Sequence, residues 1–463
     1  MNAEPGKVNE EVADLVERLD AKRQTAIPYT EYGNAERLIA DHRDDLIHVD
    51  GIGWLVWNGT RWKRDQDGEM MRRAKATVRR MREVAARIVD EKARDALWEW
   101  ARKSETRSKL ENTIALAASE QEVVRQVDDL DADPMLLNAL NGTVDLRTGE
   151  LRPHRREDLM MRIASVEYDP RARCPRWLRC LGEWMVGDEV DPGYLQRAIG
   201  YSLSGYTMEQ CLFLLDGPGA NGKTTFLETV GAALGDYGGA ASASTFMTRP
   251  GRGVRSDLAR LMGIRFVRAA EVEHDARFAE VLVKQMTGGD KLVASFLYQN
   301  EFEFRPEFKL WIAANRLPTI VGTDHAIWRR LRRIPFSTKI EKPDKRLPER
   351  LRDELPGILA WAVEGCVAWQ REGLGVPPAI RQATQQYRRE QDSIGQFLGE
   401  CCLQSEGSGV PPTVLLDTYR AWCDREGREP VSANEFRASL VSRGLSQTRT
   451  AQTRLWSGIE LRR

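Results

Sequence analysis

The sequence predicts an α/β chain with a parallel-sheet core, a mixed α+β region before it and a winged helix after it. Three observations carry this. The apolar run CLFLL, residues 211–215, passes through a glycine-rich stretch into TTFLETVGAAL, the strand, loop, helix order of a parallel α/β unit. Upstream, alternating apolar and polar residues surround Asn58-Gly59 and Asn141-Gly142, strong short hairpin signals. Near the C-terminal end, TVLLDTYRAWCDREG and SANEFRASLVSRG read as two helices followed by a short basic hairpin.

In chain order, residues 1–30 read as a polar leader and 31–190 as the mixed N-terminal domain. In IHVDGIGWLVWNGTRWKRD, Trp54, Val56 and Trp62 supply one apolar face of a hairpin; base stacking is the alternative role. A helical stretch from Glu69 to about Ser104 begins with Arg72, Arg73, Lys75, Arg79, Arg80 and Arg82, either a solvated basic face or a guide for DNA. Asp131 and Asp133, just before Pro134, fit a loop better than a primase metal site. LNGTVDLRTGELRPH reads as a hairpin with turns at Asn141-Gly142 and Thr148-Gly149. The core spans 191–340, and a helical extension and linker with Trp361 and Trp369 spans 341–390. The last domain, 391–463, is expected to hold SEGSGVPP as a loop and a helix capped by Ser432 with Glu435 three residues on.

Composition narrows the function classes. Lys plus Arg and Asp plus Glu number 69 each, so a polyanion must be met by local patches rather than by bulk charge. Seven cysteines without a C-x-x-C pair fit a reduced protein better than a disulfide scaffold, and Cys174 and Cys180 lack the partners of a zinc site. The start, MNAEPGKVNEEVADL, has no apolar signal segment, and no run reaches the length of a membrane span, so no membrane partner is expected.

The chemistry concentrates in DGPGANGKTTF, where Gly217, Gly222, Lys223 and Thr224 fit G-x-x-x-x-G-K-[ST]. Gly217, Pro218, Gly219, Ala220, Asn221, Gly222, Lys223, Thr224 and Thr225 are the candidate phosphate-binding set for ATP. Lys223 would reach the β and γ phosphates and Thr224 would ligate Mg²⁺. IRFVRAAE is a second buried strand ending in Glu271, a carboxylate for the Mg²⁺ shell and the attacking water, with Glu273 in reserve. KLWIAANRLP is a third strand that brings Asn315 to the sheet edge where ligands bind in open α/β folds. HAIWRRLRRIPF then places Arg329, Arg330, Arg332 and Arg333 together, either as a solvated helix or as the source of an arginine finger.

This order of motifs resembles the superfamily 3 helicases of phages and plasmids, the helicase portion of the phage/plasmid primase-helicase family that includes the poxvirus primase-helicase. LNGTVDLRTGELRPH and AIGYSLSG look like its N-terminal helicase-associated domain and junction, GPGANGKTTF like its phosphate loop, and DHAIWRRLRRIPF like its finger motif. The resemblance implies an AAA+-like P-loop NTPase core that works with ATP and Mg²⁺ as a ring, usually a homohexamer, moving 3′ to 5′ on single-stranded DNA. By resemblance Lys223, Glu271, Asn315 and Arg330 or Arg329 carry catalysis. A hairpin at 291–304 enters the pore with Lys291 and Tyr298 as DNA contacts, although Ser295 stands where family members often carry Arg. Phe302 and Phe304 fit core packing better than base stacking.

The chain lacks room for the linked primase, so the expectation is a replication helicase in the cytoplasm of a bacterial host, with primase and other replication proteins as separate partners. Two readings stay beside it. One is an ATP-controlled origin-binding initiator that uses its C-terminal arginines on duplex DNA and unwinds little. The other is a small-molecule P-loop kinase, which the Asn315 and ring motifs disfavour.

Overall fold

The computed structural model describes residues 22–185, 191–249, 255–270, 272, 276–295, 300–320, 325–449 and 454–462. The chain divides into two compact units, one of residues 22–145 and 150–168, the other of 146–149 and 169–462. Among the described residues, no helix is long and apolar enough to cross a membrane.

In the first unit, strands β1 (Leu46–Val49), β2 (Gly53–Trp57), β3 (Trp62–Arg64) and β4 (Val124–Arg125) form a sheet in the order β3-β2-β1-β4. Trp62 is buried with Ile47, Val49 and Leu55, while Trp54 and Val56 pack partly buried on a helical cluster, so the tryptophans serve a core. Strands β5 (Leu136–Ala139), β6 (Gly142–Asp145) and β7 (Glu150–Arg152) form the antiparallel meander that the two turn signals predict.

The long helix expected from Glu69 is two helices, Glu69–Ala85 and Glu91–Ser104. Asp90 separates them, because its carboxylate accepts the Lys92 N–H and starts the second helix. Most of the basic cluster is neutralised locally: Arg72 pairs with Glu69 and Asp67, Arg73 with Glu69 and Asp45, Arg80 with Asp41 and Arg82 with Glu105. This favours the solvated face over the DNA guide. Asp131 accepts the Met161 N–H at 3.0 Å and Asp133 the Met135 N–H at 2.9 Å, so both aspartates organise a loop.

The second unit is built on a five-stranded parallel sheet of β8 (Leu212–Asp216), β9 (Gly238–Ser242), β10 (Phe266–Ala270), β13 (Lys309–Ala314) and β14 (Leu331–Pro335), in the order β14-β8-β13-β10-β9. A two-stranded ribbon, β11 (Leu292–Ala294) with β12 (Phe302–Phe304), precedes β13. The period of two distributes the β8 side chains. Phe213 stacks on Trp311 with ring centroids 4.0 Å apart, whereas Leu212 and Leu214 join Val267 and Ile312 in another core cluster. The helix Pro175–Trp184, expected at the end of the N-terminal domain, belongs to this unit; Trp177 stacks on Phe226 of the helix Lys223–Leu234.

Two buried cations fasten this unit. The Lys309 ammonium donates to the carbonyls of Ser204, Tyr206 and Glu307, and Arg265 donates to the Leu203 carbonyl at 3.0 Å. Together they occupy the C-terminal end of the helix Pro192–Leu203, where unpaired carbonyls collect. Lys309→Met is expected to cost about 3 kcal/mol in chemical denaturation, because buried acceptors lose their donor. Burial pushes the Lys309 amine down to about 7. With the folded value below that of the unfolded chain, this residue's contribution is full above the ordinary lysine range and declines as pH falls towards 7. The variant should lose that part of the pH dependence.

Residues 393–462 contain the helices Ser393–Cys401, Pro412–Arg425 and Ala433–Ser442, and a sheet β15-β17-β16 of β15 (Cys402–Val410), β16 (Gln447–Arg449) and β17 (Arg454–Leu461). Phe397, Leu415, Tyr419, Trp422, Phe436 and Trp456 form its core. The capping box is present, with Ser432 Oγ accepting the Glu435 N–H. SEGSG is strand rather than the expected loop: β15 pairs with β17 on both sides of a register shift between Gln404 and Gly409.

Candidate functional site

The site lies at the C-terminal ends of β8 and β13, which are paired with Ala314 opposite Asp216. Each chain then leaves the sheet, so Gly217 and Asn315 emerge side by side. Asn315 is exposed there. On the far side of β13, Ala270 stands opposite Ala313 at the end of β10. Glu271, the next residue, and Glu273 lie outside the described residues.

Residues 217–222 form the loop between β8 and the helix Lys223–Leu234. Its glycines answer to geometry. Gly222 has φ 91°, and a Cβ there would lie 2.5 Å from the Trp184 indole; a Cβ on Gly217 would lie 2.1 Å from the Phe336 carbonyl oxygen. Phe226 makes the first helical bond, to the Gly222 carbonyl at 2.8 Å, so the N–H groups of Lys223, Thr224 and Thr225 belong to the unpaired first turn. Oriented donors and the positive end of a helix dipole converge on one spot, an arrangement suited to an anion.

Lys223 is only 4% exposed. Its ammonium donates to Gly217 O at 2.7 Å, Pro218 O at 3.0 Å and Asn221 Oδ1 at 3.0 Å. Burial lowers its pKa and the nearby Asp216 carboxylate opposes that shift. Thr224 is exposed and lines a cavity of about 540 Å³ with Glu228, Ser242, Arg268 and Ala270. Among the described residues, no group of three or more His, Cys, Asp or Glu is placed to hold a metal without a ligand from elsewhere.

The segment after β14 straps this loop. Phe336 donates its N–H to Asp216 O at 2.6 Å and accepts the Asn221 side-chain amide at 2.7 Å, and the Ile340 N–H reaches Ala220 O at 3.1 Å. Arg333 donates from Nε and Nη2 to Asp216 Oδ2 at 2.8 and 2.6 Å. The strap and the Asp216 partner are not apparent in the sequence, where the only signal is an arginine-rich run ending in Pro335-Phe336.

The four arginines separate cleanly. Arg330 is 8% exposed, with Nε on Thr287 Oγ1 at 3.0 Å and Nη1 on Ala326 O at 2.6 Å, so its guanidinium is spent within its own chain. Arg329 is exposed and reaches Gln210 Oε1 at 2.9 Å. Arg332 donates to the Arg329 and Leu331 carbonyls, and Arg333 binds Asp216. Away from this edge, Lys291 pairs with Glu303 across the β11-β12 ribbon at 3.0 Å; Tyr298 lies outside the described residues. Phe304 is buried and Phe302 packs partly buried on the same core.

Three family models match in order: "D5 N terminal like" over residues 35–186, a family of unknown function over 215–333 and "Poxvirus D5 protein-like" over 389–443. Among individual relatives, "Putative helicase L207/L206" of Acanthamoeba polyphaga mimivirus is 25% identical over 320 residues, covering 64% of this chain and 33% of the relative. "Putative helicase 022R" of Frog virus 3 is 26% identical over 380 residues, 64% of this chain and 39% of the relative. "Putative primase C962R" of African swine fever virus is 25% identical over 329 residues, 64% and 34%. The chain thus spans between a third and two fifths of the length of these curated relatives. Among solved structures, the apo C-terminal region of NrS-1 aligns with a TM-score of 0.38 at 13% identity, covering 63% of this chain and 77% of that one. Two D5-type models flank the glycine-rich unit and helicases and primases of large DNA viruses are among its relatives, and these similarities support a relationship to the phage and viral primase-helicase family.

Proposed function

We propose that the chain is the motor of a replicative DNA helicase, in which residues 217–225 bind the phosphates of ATP with Mg²⁺ and hydrolysis drives movement along single-stranded DNA. The observation that carries this reading is the loop itself: a buried lysine, an unpaired helical first turn and Asn315 share one edge of a parallel sheet. The donor set suits a polyphosphate. Lys223 would exchange its three loop contacts for phosphate oxygens, and the exposed Thr224 hydroxyl would help hold the Mg²⁺ ion, which neutralises phosphate charge when bound. Glu271 would polarise the attacking water and Asn315 would orient it.

The ring assignment rests on an arginine acting in the neighbouring subunit's site, and exposure favours Arg329 over the buried Arg330. Head-to-tail contacts of this type close into rings, here a homohexamer by family resemblance. Lys291 and Tyr298 would face the strand in the pore. Residues 393–462, as a winged helix, would hold duplex or origin DNA mainly by its phosphates through exposed arginines such as Arg437 and Arg449. An origin-binding switch shares that last feature and differs in unwinding little.

A strand-displacement assay on duplexes with 3′ or 5′ tails, run beside DNA-stimulated ATPase measurements, tests the reading. Expected are ATPase stimulation by single-stranded DNA and displacement on one tail polarity only. Stimulation without displacement returns the origin-binding switch, and nucleotide turnover indifferent to DNA returns the kinase.

A further inference from the structure

The helix Pro378–Gln391 stands between the candidate nucleotide site and residues 393–462. It covers β14, the edge strand of the sheet, and does so with specific bonds. The Arg333 N–H donates to Thr384 Oγ1 at 3.2 Å, and Arg333 Nη1 donates to Ala383 O at 3.3 Å while the same guanidinium holds Asp216. Arg333 and Asp216 side chains are 16% and 14% exposed, so water screens the pair poorly. The helix is also fixed to the segment that follows Asn315. The Tyr387 hydroxyl donates to the Pro318 carbonyl, Gln391 Oε1 accepts the Ile320 N–H at 3.2 Å, and Trp328 meets the Tyr387 ring edge-on at 5.2 Å.

The far end of the helix is tied equally closely to the C-terminal elements. Asp392 alone joins it to the helix Ser393–Cys401, whose first turn it caps through the Gly395 N–H at 2.8 Å. Asp392 Oδ1 also accepts Arg443 Nη2 at 2.5 Å, and Arg443 is the C-cap of the capped helix Ala433–Ser442. Arg428 donates to the Glu390 carbonyl at 3.3 Å. An unbroken set of bonds therefore runs from Asp216, at the base of the loop, through Arg333 and the helix to the helix Ala433–Ser442 of the C-terminal elements.

We infer that the helix Pro378–Gln391 transmits the nucleotide state of the loop and of the Asn315 segment to the C-terminal elements, so that nucleotide sets their affinity for duplex DNA, with Arg333 and Tyr387 as positioning residues at the two input points. The inference rests on the functional reading above. Its physical basis is that the helix touches the segment continuing from the end of β13 and, within β14, the Arg333 that holds Asp216 at the end of β8, so a shift of either tilts a rod whose other end has a single connecting residue. By linkage, the duplex must change nucleotide affinity by the same factor.

The test uses the full chain and the double variant Thr384→Val with Tyr387→Phe, which removes two hydroxyl contacts and touches neither the loop nor the C-terminal elements. Duplex affinity is measured by fluorescence anisotropy with a non-hydrolysable ATP analogue, with ADP and without nucleotide, and analogue affinity is measured with and without duplex. For the wild type, a ratio on the order of tenfold between nucleotide states is expected, reciprocal in the second measurement. In the variant the ratio should fall below about twofold while analogue affinity without DNA stays unchanged. A variant that keeps the wild-type ratio overturns the inference, as does a wild type that binds both ligands independently. A wild type that binds no nucleotide instead overturns the functional reading. Should the double variant fail to fold, Gln391→Leu, which removes one contact at the far end, is held to the same two outcomes.

Discussion

Lys223→Ala is expected to reduce ATP hydrolysis by on the order of a thousandfold while the protein still folds. The reasoning starts from the ammonium's position. It lies within 3.0 Å of three loop acceptors, the spot where β and γ phosphate oxygens would compete for it. Charge developing on a transferred phosphoryl group would be stabilised there by a fixed positive group in a partly dehydrated site, and removing one such donor costs about a hundredfold to a thousandfold. Of the three acceptors released, the Gly217 and Pro218 carbonyls are not buried, and the buried Asn221 amide keeps its bond to the Phe336 carbonyl, so the loss of stability is modest. Phosphate release at saturating ATP, with a thermal melt as the folding control, checks this. Turnover within about threefold of wild type would remove Lys223 from the chemistry.

The parts of this site that follow one another in the chain were legible in the sequence, and the parts brought together by tertiary packing were not. Apolar runs gave β8 and β13 because both lie inside the sheet and bury every position or nearly so. The glycine spacing gave the loop because its backbone must pass close to Phe336 and Trp184, although neither neighbour could be named in advance. Four arginines within five residues look equivalent in a sequence; only the turn before β14 and the alternation along it bury Arg330 on Thr287, aim Arg333 at Asp216 and leave Arg329 outside.

Two local readings failed for identifiable reasons. Serine and glycine in SEGSG signal a loop on propensity, but the strand runs on through them because β17 pairs with Cys402–Gln404 before the shift and with Gly409 and Val410 after it. The break between Glu69–Ala85 and Glu91–Ser104 carries no Gly or Pro, and its only marker is one capping aspartate, Asp90.

The separation of Arg329 from Arg330 leads to the sharpest test of the ring. Arg329→Ala should retain its stability, since the described bond of its guanidinium, to Gln210 Oε1, is exposed, yet lose on the order of a thousandfold in turnover if the guanidinium serves the next subunit. Arg330→Ala should instead lose stability by about 1–3 kcal/mol, because Thr287 and the Ala326 carbonyl lose a buried partner. Mixing adds the decisive step. An Arg329→Ala subunit keeps a working loop, and a Lys223→Ala subunit keeps a working finger. In rings that exchange subunits, some interfaces therefore pair the intact loop of one with the intact arginine of the other. ATPase activity of the mixture should rise well above that of either parent, with size analysis showing that mixed assemblies form. Mixed assemblies no more active than their parents would place the arginine's action within one subunit, and the Asp216-bound Arg333 would then be the next guanidinium to test.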